Sequence, residues 1–432
     1  MNFQKATALG FSVTLLAGSV LAQRGRIPEG IPHLDHVFVI MMENHGYNQV
    51  LNNPNAPFIN DLANSANMSS NYFAIAHPSL TNYLEVVGGS NFGVHTDNSP
   101  DWHNPNCTPN LISGLVATDN PKSPAICPIW GTGTDAATPA IDYTNETQGP
   151  PGTINIDGKE SIPADKTVIG ETIADQLVAK GLTWKSYQED LPLEGADNVN
   201  LSDGFFTDST DFGIFFPTLT PPLSQKDLVA LYAAKHDPFV YFRNIQEGID
   251  PKNSLKNIVG FDGPRGLFSD LGSGRLPNFL FIAPNQCNDQ HGRGNAGAFC
   301  NYDPKDNGTQ AGLNPALLQR GDITVHRLVK SIKRSKEWRN GKNAIVVLWD
   351  ENDYSLAPIV NQVLLIVDTN YGVHGVKSET RYNHFSLLKT FEAAFDLPCL
   401  NHACDPGIKV LSDLFEAGYN PRQEVNADEV DR

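Results

Sequence analysis

The sequence predicts an α/β fold built on a mainly parallel β-sheet. Short apolar runs such as His36–Met42 and Ala344–Trp349 are continuous and rich in β-branched residues, which is typical of strands buried on both faces. Along the chain, runs of this kind alternate with segments of helical periodicity, and that alternation favours parallel strands joined by helices. We therefore expect a central sheet that is covered by helices.

The other elements follow from the same two patterns. Strands are also predicted, in chain order, at Trp184–Tyr187, Pro238–Phe242, Asn278–Ile282 and Gln362–Val367. Helices are predicted at Phe58–Leu62 after a Pro- and Asn-rich loop, from Ser79, at Glu171–Lys180 with Gly181 as its cap, after Asp322 and after His384. In the last two helices, apolar residues recur at intervals of three and four, as a core-facing helix requires.

The domain organisation predicted is one large domain after a secretory signal. Residues 1–22 carry Lys5, a modest apolar stretch and a small-residue site ending at Ala22, which indicates a cleaved signal peptide; a retained membrane anchor is the alternative. Residues 23–432 would form the domain, although two domains are compatible with a length of 432 residues. The Pro-, Gly- and Thr-rich residues 97–166 are expected to form a long surface excursion.

The cysteines and sequons agree with an extracellular location. Six cysteines follow the signal, an even number suited to disulfides, and pairing of neighbours would give Cys107–Cys127, Cys287–Cys300 and Cys399–Cys404 among 15 possible connectivities. A zinc site is the rival, but no Cys-x-x-Cys is present. Four sequons are compatible with glycosylation of a secreted protein, at Asn67, Asn145, Asn200 and Asn307.

The charge of the chain limits its partners. A formal net charge of -17 disfavours general attraction to nucleic acid and to anionic membrane surfaces, so we expect neither nucleic-acid binding nor stable membrane association. An anionic substrate would need a local site of opposite charge, such as a metal, histidines or a helix N-terminus.

A metal site is predicted where two strands end. Glu43 and Asn44 follow the first apolar run, and Asp350 and Glu351 follow the late one. Ligands in open α/β sheets bind at the carboxyl ends of the strands, and crowded carboxylates repel one another unless a cation neutralises them. Hard oxygen ligands of this kind suit a divalent metal ion, whose identity the sequence leaves open. The alternative is that each acid caps the next helix or loop.

Three further residues could carry chemistry at this edge. Ser79 begins a predicted helix, where backbone N–H groups can hold phosphate oxygens; an ordinary N-cap serine is the alternative. His291 follows a third strand, together with Asn285 and Asp289, and His384 precedes a helix; either imidazole could shuttle a proton or could be structural. Nothing in the local sequence singles out four other histidines, namely His33, His236, His326 and His402.

P-loop nucleotide hydrolysis, dinucleotide redox chemistry, α/β-hydrolase chemistry and zincin proteolysis lose support because their motifs are absent. The sequence contains no phosphate-binding P-loop, no Gly-x-Gly-x-x-Gly after a first strand, no Gly-x-Ser-x-Gly and no His-Glu-x-x-His. An Arg-His-Gly element of histidine-type phosphatases is also missing.

Taken in order, six motifs resemble the phosphoesterase family of phospholipases C and secreted acid phosphatases, most closely the fungal acid phosphatases. They are Met42-Glu-Asn-His-Gly-Tyr47, Asn55-Ala-Pro-Phe-Ile-Asn60, His77-Pro-Ser-Leu-Thr-Asn-Tyr83, Pro284-Asn-Gln-Cys-Asn-Asp-Gln-His291, Trp349-Asp-Glu351 and Asn383-His-Phe-Ser-Leu-Leu388. The resemblance implies an alkaline-phosphatase-like α/β/α sandwich in three layers. It also implies a covalent phosphoenzyme.

Carried over by motif, the resemblance implies roles for single residues. Ser79 would be the nucleophile and, with Glu43, Asn44, Asp350 and Glu351, a metal ligand. His291 and His384 would contact the phosphoryl group or protonate the leaving oxygen. The chain departs from the family pattern in three places, where relatives often have other residues: Gly46 with Asn48, Glu351, and Asn352 with Asp353.

The function predicted is therefore that of a secreted, metal-assisted acid phosphatase acting on small phosphomonoesters. An acidic optimum is expected because a protonated histidine assists best in acid. A phospholipase C or other phosphodiesterase is the first alternative, and a secreted glycoprotein without turnover is the second. The sequence leaves the oligomeric state and the natural substrate open.

Overall fold

The structure is a computed structural model, and it describes residues 30–92, 94, 97, 170–191, 232–292, 315–352 and 361–416, with four two-residue strands between residues 108 and 156. The predicted signal peptide, most of the predicted excursion at 97–166 and three of the sequons lie outside the described residues. No helix within these ranges has the length and hydropathy needed to cross a bilayer.

The strands and helices have the following bounds. The strands are β1 His36–Met42, β2 Asn67–Ser69, β3 Tyr72–Phe73, β4 Thr108–Pro109, β5 Ile126–Cys127, β6 Ile141–Asp142, β7 Asn155–Ile156, β8 Trp184–Gln188, β9 Ile258–Gly260, β10 Phe279–Ala283, β11 Asn343–Trp349, β12 Leu365–Thr369, β13 Lys377–Ser378 and β14 Tyr382–Asn383. The α-helices are α1 Tyr47–Val50, α2 Pro57–Ser65, α3 Ser79–Gly88, α4 Ile173–Ala179, α5 Arg243–Glu247, α6 Leu267–Ser273, α7 Pro315–Arg334, α8 His384–Ala394 and α9 Ser412–Phe415. Short 3-10 helices span Ala234–His236, Pro238–Tyr241, Leu255–Asn257, Glu337–Arg339 and Asn401–Cys404.

The main sheet has eight strands in the order β13-β2-β12-β11-β1-β10-β8-β9. The five strands from β11 to β9 run parallel to one another, and β12 runs antiparallel to both of its neighbours. All seven residues of β11 are buried, as are Val37–Met42 of β1, which explains why these strands read as continuous apolar runs. The predicted α/β class with a mainly parallel sheet is confirmed.

Helices cover both faces of the sheet. Val37 and Phe279 are register partners on adjacent parallel strands, so their side chains share one face, and the Phe279 ring packs against Phe391 of α8. The neighbouring Phe38 therefore points to the opposite face, where it meets Trp338 just after α7. The three layers predicted for the domain are present.

Two element predictions are wrong. Pro238–Phe242 was predicted as a strand, but residues Pro238–Tyr241 form a 3-10 helix whose Phe239 packs on Trp184 of β8 and Phe281 of β10. A short buried apolar run does not reveal its conformation by periodicity alone, and Pro238 suits the first position of a helical turn.

Asp322 was predicted to precede a helix, and it instead lies inside α7. There its carboxylate accepts hydrogen bonds from the backbone N–H groups of Phe58 and Ile59, at the start of α2. Asp322 therefore caps a helix, but a different one from the helix that its sequence position suggested.

The covalent and glycosylation predictions are settled in part. Cys399 and Cys404 are joined by a disulfide as predicted, and Cys287 is also disulfide-bonded, although its partner lies outside the described residues. Of the predicted Cys107–Cys127 pair, Cys107 lies outside the described residues as well. The sequon at Asn67 is buried in β2, and its amide donates to the carbonyl oxygens of Val373 and Leu414. Asn67 is therefore closed to a glycan in the folded chain.

Candidate active site and metal centre

The two acidic strand ends meet at one edge of the sheet, as predicted. Met42 and Trp349 are register partners, so the residues that follow them emerge side by side. The backbone N–H of Asp350 donates to the Met42 carbonyl at 3.0 Å, and the N–H of Asn44 donates to Asp350 Oδ1 at 2.8 Å. Asn44 adopts a left-handed backbone conformation with φ 53°, a conformation that asparagine tolerates better than most residues.

Ser79 lies at the centre of this carboxylate cluster. It is the first residue of α3, it is buried, and its hydroxyl is within hydrogen-bond distance of Glu43 Oε2 at 3.1 Å and of Glu351 Oε1 at 3.4 Å. The N-cap position of α3 belongs to Pro78, so the alternative of an ordinary N-cap serine does not hold.

Glu351 is fixed from two sides. Its Oε2 atom lies 2.8 Å from His77 Nδ1 and accepts a hydrogen bond from Asn82 Nδ2 at 3.1 Å. Both partners belong to the segment that carries Ser79, so they align the late carboxylate pair with the serine.

The donor set around Ser79 fits a divalent cation. Glu43, Asp350 and Glu351 are all buried, and Asp350 Oδ2 has no hydrogen-bond partner among the described residues. Burial, together with the charges of Glu43 and Glu351, raises the pKa of Asp350 well above its usual range. A cation would relieve this repulsion, and carboxylate, hydroxyl and amide oxygens are the ligands that hard divalent ions prefer.

His236 is a site residue that the sequence reasoning passed over. Its Nε2 atom lies 2.9 Å from Glu43 Oε1, its Nδ1 atom lies 3.3 Å from Asp289 Oδ2, and the Tyr83 ring stacks on it at 5.3 Å. Burial alone would lower the pKa of His236, but the two carboxylates outweigh it and raise the pKa to about 9. In turn, burial would raise the pKa of Glu43, but His236, Lys235 and His291 hold it well below its usual range.

Glu43, His236 and Asp289 also form a group whose ligand atoms lie within 4.8 Å of one another. Each ring nitrogen of His236 already faces a carboxylate, which suits a protonated ring held between two acids as well as it suits a metal ligand. Glu43 thus joins two clusters, one through each carboxylate oxygen.

Lys235 supplies a cation next to the serine, and the sequence reasoning missed it as well. Its Nζ atom lies 3.5 Å from Ser79 Oγ, 3.4 Å from His291 Nε2 and 2.9 Å from Asp97 Oδ2. Burial alone would lower the pKa of Lys235, but Asp97 and Glu43 raise it above its usual range, so the ammonium stays charged.

The two histidines predicted to be catalytic lie at this site in different settings. His291 is partly exposed, and its Nδ1 atom lies 2.8 Å from the Gly292 carbonyl, so the proton of a neutral ring belongs on Nδ1 and Nε2 is left as an acceptor. Burial and the charge of Lys235 lower the pKa of His291 to about 4.

His384 is fully buried, and both of its ring nitrogens are engaged. Nδ1 pairs with the Tyr72 hydroxyl at 2.8 Å, and Nε2 lies 2.7 Å from the Asp350 carbonyl oxygen. Burial lowers the pKa of His384 to about 4. A direct contact with substrate would require one of these bonds to break, and the positive charge expected of a histidine is carried here by His236 and Lys235.

Comparisons with known proteins agree with the motifs. The model of the Phosphoesterase family matches residues 49–300. An acid phosphatase of Aspergillus fumigatus is 22% identical over 392 residues, which cover 90% of this chain and 61% of the relative. A phosphatidylinositol-3-phosphatase of Mycobacterium tuberculosis is 23% identical over 403 residues, covering 90% of this chain and 89% of the relative.

Among solved structures, an alkaline phosphatase superfamily protein of Vibrio parahaemolyticus aligns with a TM-score of 0.41 and 10% identity, over 88% of this chain and 72% of its own. The chain spans about three fifths of the length of the Aspergillus relative. Because the family model covers more than half of the sequence, the chain belongs to the Phosphoesterase family.

Proposed function

We propose that this chain is a secreted acid phosphatase that hydrolyses phosphomonoesters through a phosphoserine at Ser79. One observation carries the proposal: a buried serine hydroxyl at a helix N-terminus lies within 3.5 Å of two carboxylates and a lysine ammonium. That arrangement places a nucleophile, a prospective cation site and a fixed positive charge around one atom. The acid phosphatase name of the Aspergillus relative supports the same reaction and an acidic optimum.

Five residues would hold a divalent metal ion: Glu43, Asn44, Asp350, Glu351 and, through its hydroxyl oxygen, Ser79. When bound, such an ion would lower the pKa of the serine hydroxyl and screen negative charge at the phosphoryl group. Asp350 Oδ2, buried without a protein partner among the described residues, supports this assignment.

The first step is the attack of Ser79 on the phosphoryl group. Ser79 Oγ forms its bond to phosphorus as the bond from phosphorus to the ester oxygen breaks. The serine proton is lost to solvent by way of the hydrogen bond to Glu43 Oε2, and the departing alkyl or aryl oxygen takes up a proton from solvent. Lys235 and the N-terminal end of α3 would bind the phosphoryl oxygens, because both present positive charge beside Ser79.

His291 is proposed as the base of the second step. His291 is partly exposed, and its Nε2 atom is an acceptor in the neutral ring, so it can take a proton from the water that attacks phosphorus. The bond from phosphorus to Ser79 Oγ then breaks, the serine oxygen takes up a proton from solvent, and inorganic phosphate is released. His384 is proposed as a positioning residue, because its contact with the Asp350 carbonyl fixes the strand end that supplies two of the proposed metal ligands.

Secretion and domain organisation remain part of the proposal. Removal of residues 1–22 would leave a single catalytic domain over residues 23–432, with residues 97–166 as its surface excursion. N-terminal sequencing of protein recovered from the medium should read from Gln23, and a sequence that begins at Met1 would contradict cleavage.

The enzymatic proposal is tested by measuring hydrolysis of p-nitrophenyl phosphate and bis-p-nitrophenyl phosphate by the wild type, Ser79→Ala and Ser331→Ala. Ser331 lies on α7, where its hydroxyl donates to the carbonyl oxygen of Arg327 in the same helix, so it is a matched serine control. We expect monoester turnover that peaks below neutrality, survives in Ser331→Ala and disappears in Ser79→Ala. Preferential diester cleavage would instead favour a phosphodiesterase, and turnover that survives in Ser79→Ala would refute the serine mechanism.

A further inference from the structure

A carboxylate of the chain itself occupies the anion-binding end of α3. Asp97 Oδ1 accepts a hydrogen bond from the backbone N–H of Leu80 at 3.1 Å, and Asp97 Oδ2 pairs with Lys235 Nζ at 2.9 Å. The residue at the N-cap of this helix, Pro78, makes no side-chain cap hydrogen bond. Asp97 therefore supplies the negative charge that the N-terminus of α3 favours.

The two groups that hold Asp97 are the groups that a phosphoryl group on Ser79 would need. Leu80 follows Ser79 directly in α3, and Lys235 Nζ lies 3.5 Å from Ser79 Oγ. A carboxylate and a pair of phosphoryl oxygens both present two negatively charged oxygens a short distance apart, so donors that bind one also bind the other.

We propose that Asp97 is a specificity-determining residue that competes with the phosphoryl group for Leu80 N–H and Lys235. This inference rests on the proposed function. In the free protein, the Asp97 carboxylate fills the phosphoryl-oxygen position, and it leaves that position when an ester binds. Its side chain is 35% exposed, against 13% for Lys235, so the carboxylate has a path toward solvent while the lysine stays in place between Ser79 and His291.

The consequence is discrimination between ester and free phosphate. An ester can offset the displacement of Asp97 with contacts to its alkyl or aryl group, whereas inorganic phosphate has no such group. The product is therefore bound weakly and released, although it carries the same charged oxygens as the substrate.

A simpler role for Asp97 predicts the opposite change in phosphate affinity. If Asp97 only positioned Lys235 and kept it charged, removal of its charge would loosen the lysine and weaken phosphate binding. If Asp97 competes with phosphate, removal of its charge weakens its hold on Leu80 N–H and Lys235 and strengthens phosphate binding. The direction of one affinity change separates the two roles.

The test compares Asp97→Asn with wild type, using the full chain at one fixed concentration of divalent metal. Asparagine keeps the size and the acceptor oxygen for Leu80 N–H but loses the charge. The inhibition constant of inorganic phosphate against p-nitrophenyl phosphate should fall about tenfold, the factor that removing about 1.4 kcal/mol of competition produces. A rise, or no change, would overturn the proposal.

Asp396→Asn is the matched control. Asp396 also pairs with a lysine, Lys180 at 2.6 Å, but that pair lies between the ends of α4 and α8 and is not among the contacts of Ser79. The same loss of one negative charge there should leave the inhibition constant within about twofold, because the Asp396 side chain is 91% exposed and salt screens exposed charges. An equal gain in Asp396→Asn would mean that net charge alone causes the effect, which would also overturn the proposal.

Binding without turnover separates this inference from the proposed function. Calorimetry with inorganic phosphate on Ser79→Ala, with and without Asp97→Asn, should show the same tighter binding in the double variant. If wild type turns over ester in a Ser79-dependent way but Asp97→Asn does not bind phosphate more tightly, only the role of Asp97 fails. If wild type neither turns over ester nor binds phosphate, both proposals fail.

Discussion

Replacement of Lys235 by methionine should weaken catalysis by one to two orders of magnitude. Methionine keeps most of the aliphatic length and removes the charge that lies 3.5 Å from Ser79 Oγ. A hydrogen bond to a charged group contributes roughly 1.5–3 kcal/mol, so loss of the contact with a phosphoryl oxygen should lower kcat/KM by roughly 10- to 150-fold. Lys235→Arg should recover part of the loss, because it restores the charge with a different shape.

The assay is the steady-state rate with p-nitrophenyl phosphate, beside a thermal melt that confirms folding. Lys180→Met, which removes a lysine paired with an exposed carboxylate, is the matched control and should stay within about twofold, since surface pairs contribute little. A folded Lys235→Met variant whose kcat/KM is also within about threefold of wild type would refute the role given to Lys235.

Three other predictions follow from the same geometry. Chelation of divalent metal should abolish turnover, and added metal should restore it. Glu351→Gln should raise the metal concentration needed for half-maximal turnover. Turnover that does not change with chelator would contradict the metal site. Burial raises the pKa of Asp237 to about 8 in the folded chain, above the unfolded value of about 3.9. The contribution of Asp237 to the free energy of unfolding is therefore complete below about pH 3.9 and is lost as the pH rises to about 8, with a slope of up to about 1.4 kcal/mol per pH unit. Asp237→Asn should flatten this slope in urea titrations at a series of pH values. His384→Ala should lower the free energy of unfolding by about 1–3 kcal/mol, because it leaves the Tyr72 hydroxyl and the Asp350 carbonyl without their partner, and it should also lower kcat; an unchanged denaturation midpoint would contradict this.

The strand ends were predictable because their signal is local. A buried parallel strand reads as an unbroken apolar run, and the polar residue that ends it marks the sheet edge, so Glu43 and Asp350 could be placed together before any contact was known. Ser79 was found by the same logic, since a helix start is visible in sequence.

The rest of the site depends on contacts that no local pattern records. Lys235 and His236 belong to a short 3-10 helix ahead of an apolar run whose pattern predicts a strand, and their partners come from segments far away in the chain. The only local signal was the run of charged residues Lys235-His236-Asp237 directly before Pro238. Asn67 shows the converse, because a sequon is read locally while the burial of its amide is a tertiary property.

The most direct test of the phosphoserine mechanism is to quench the protein in acid during turnover of p-nitrophenyl phosphate and to locate covalently bound phosphate by peptide mass spectrometry. Phosphate is expected on Ser79, within the peptide that contains it, in the wild type, and none is expected in Ser79→Ala. Steady turnover with no phosphate on Ser79 at any quench time, or phosphate on another residue, would contradict the phosphoserine mechanism.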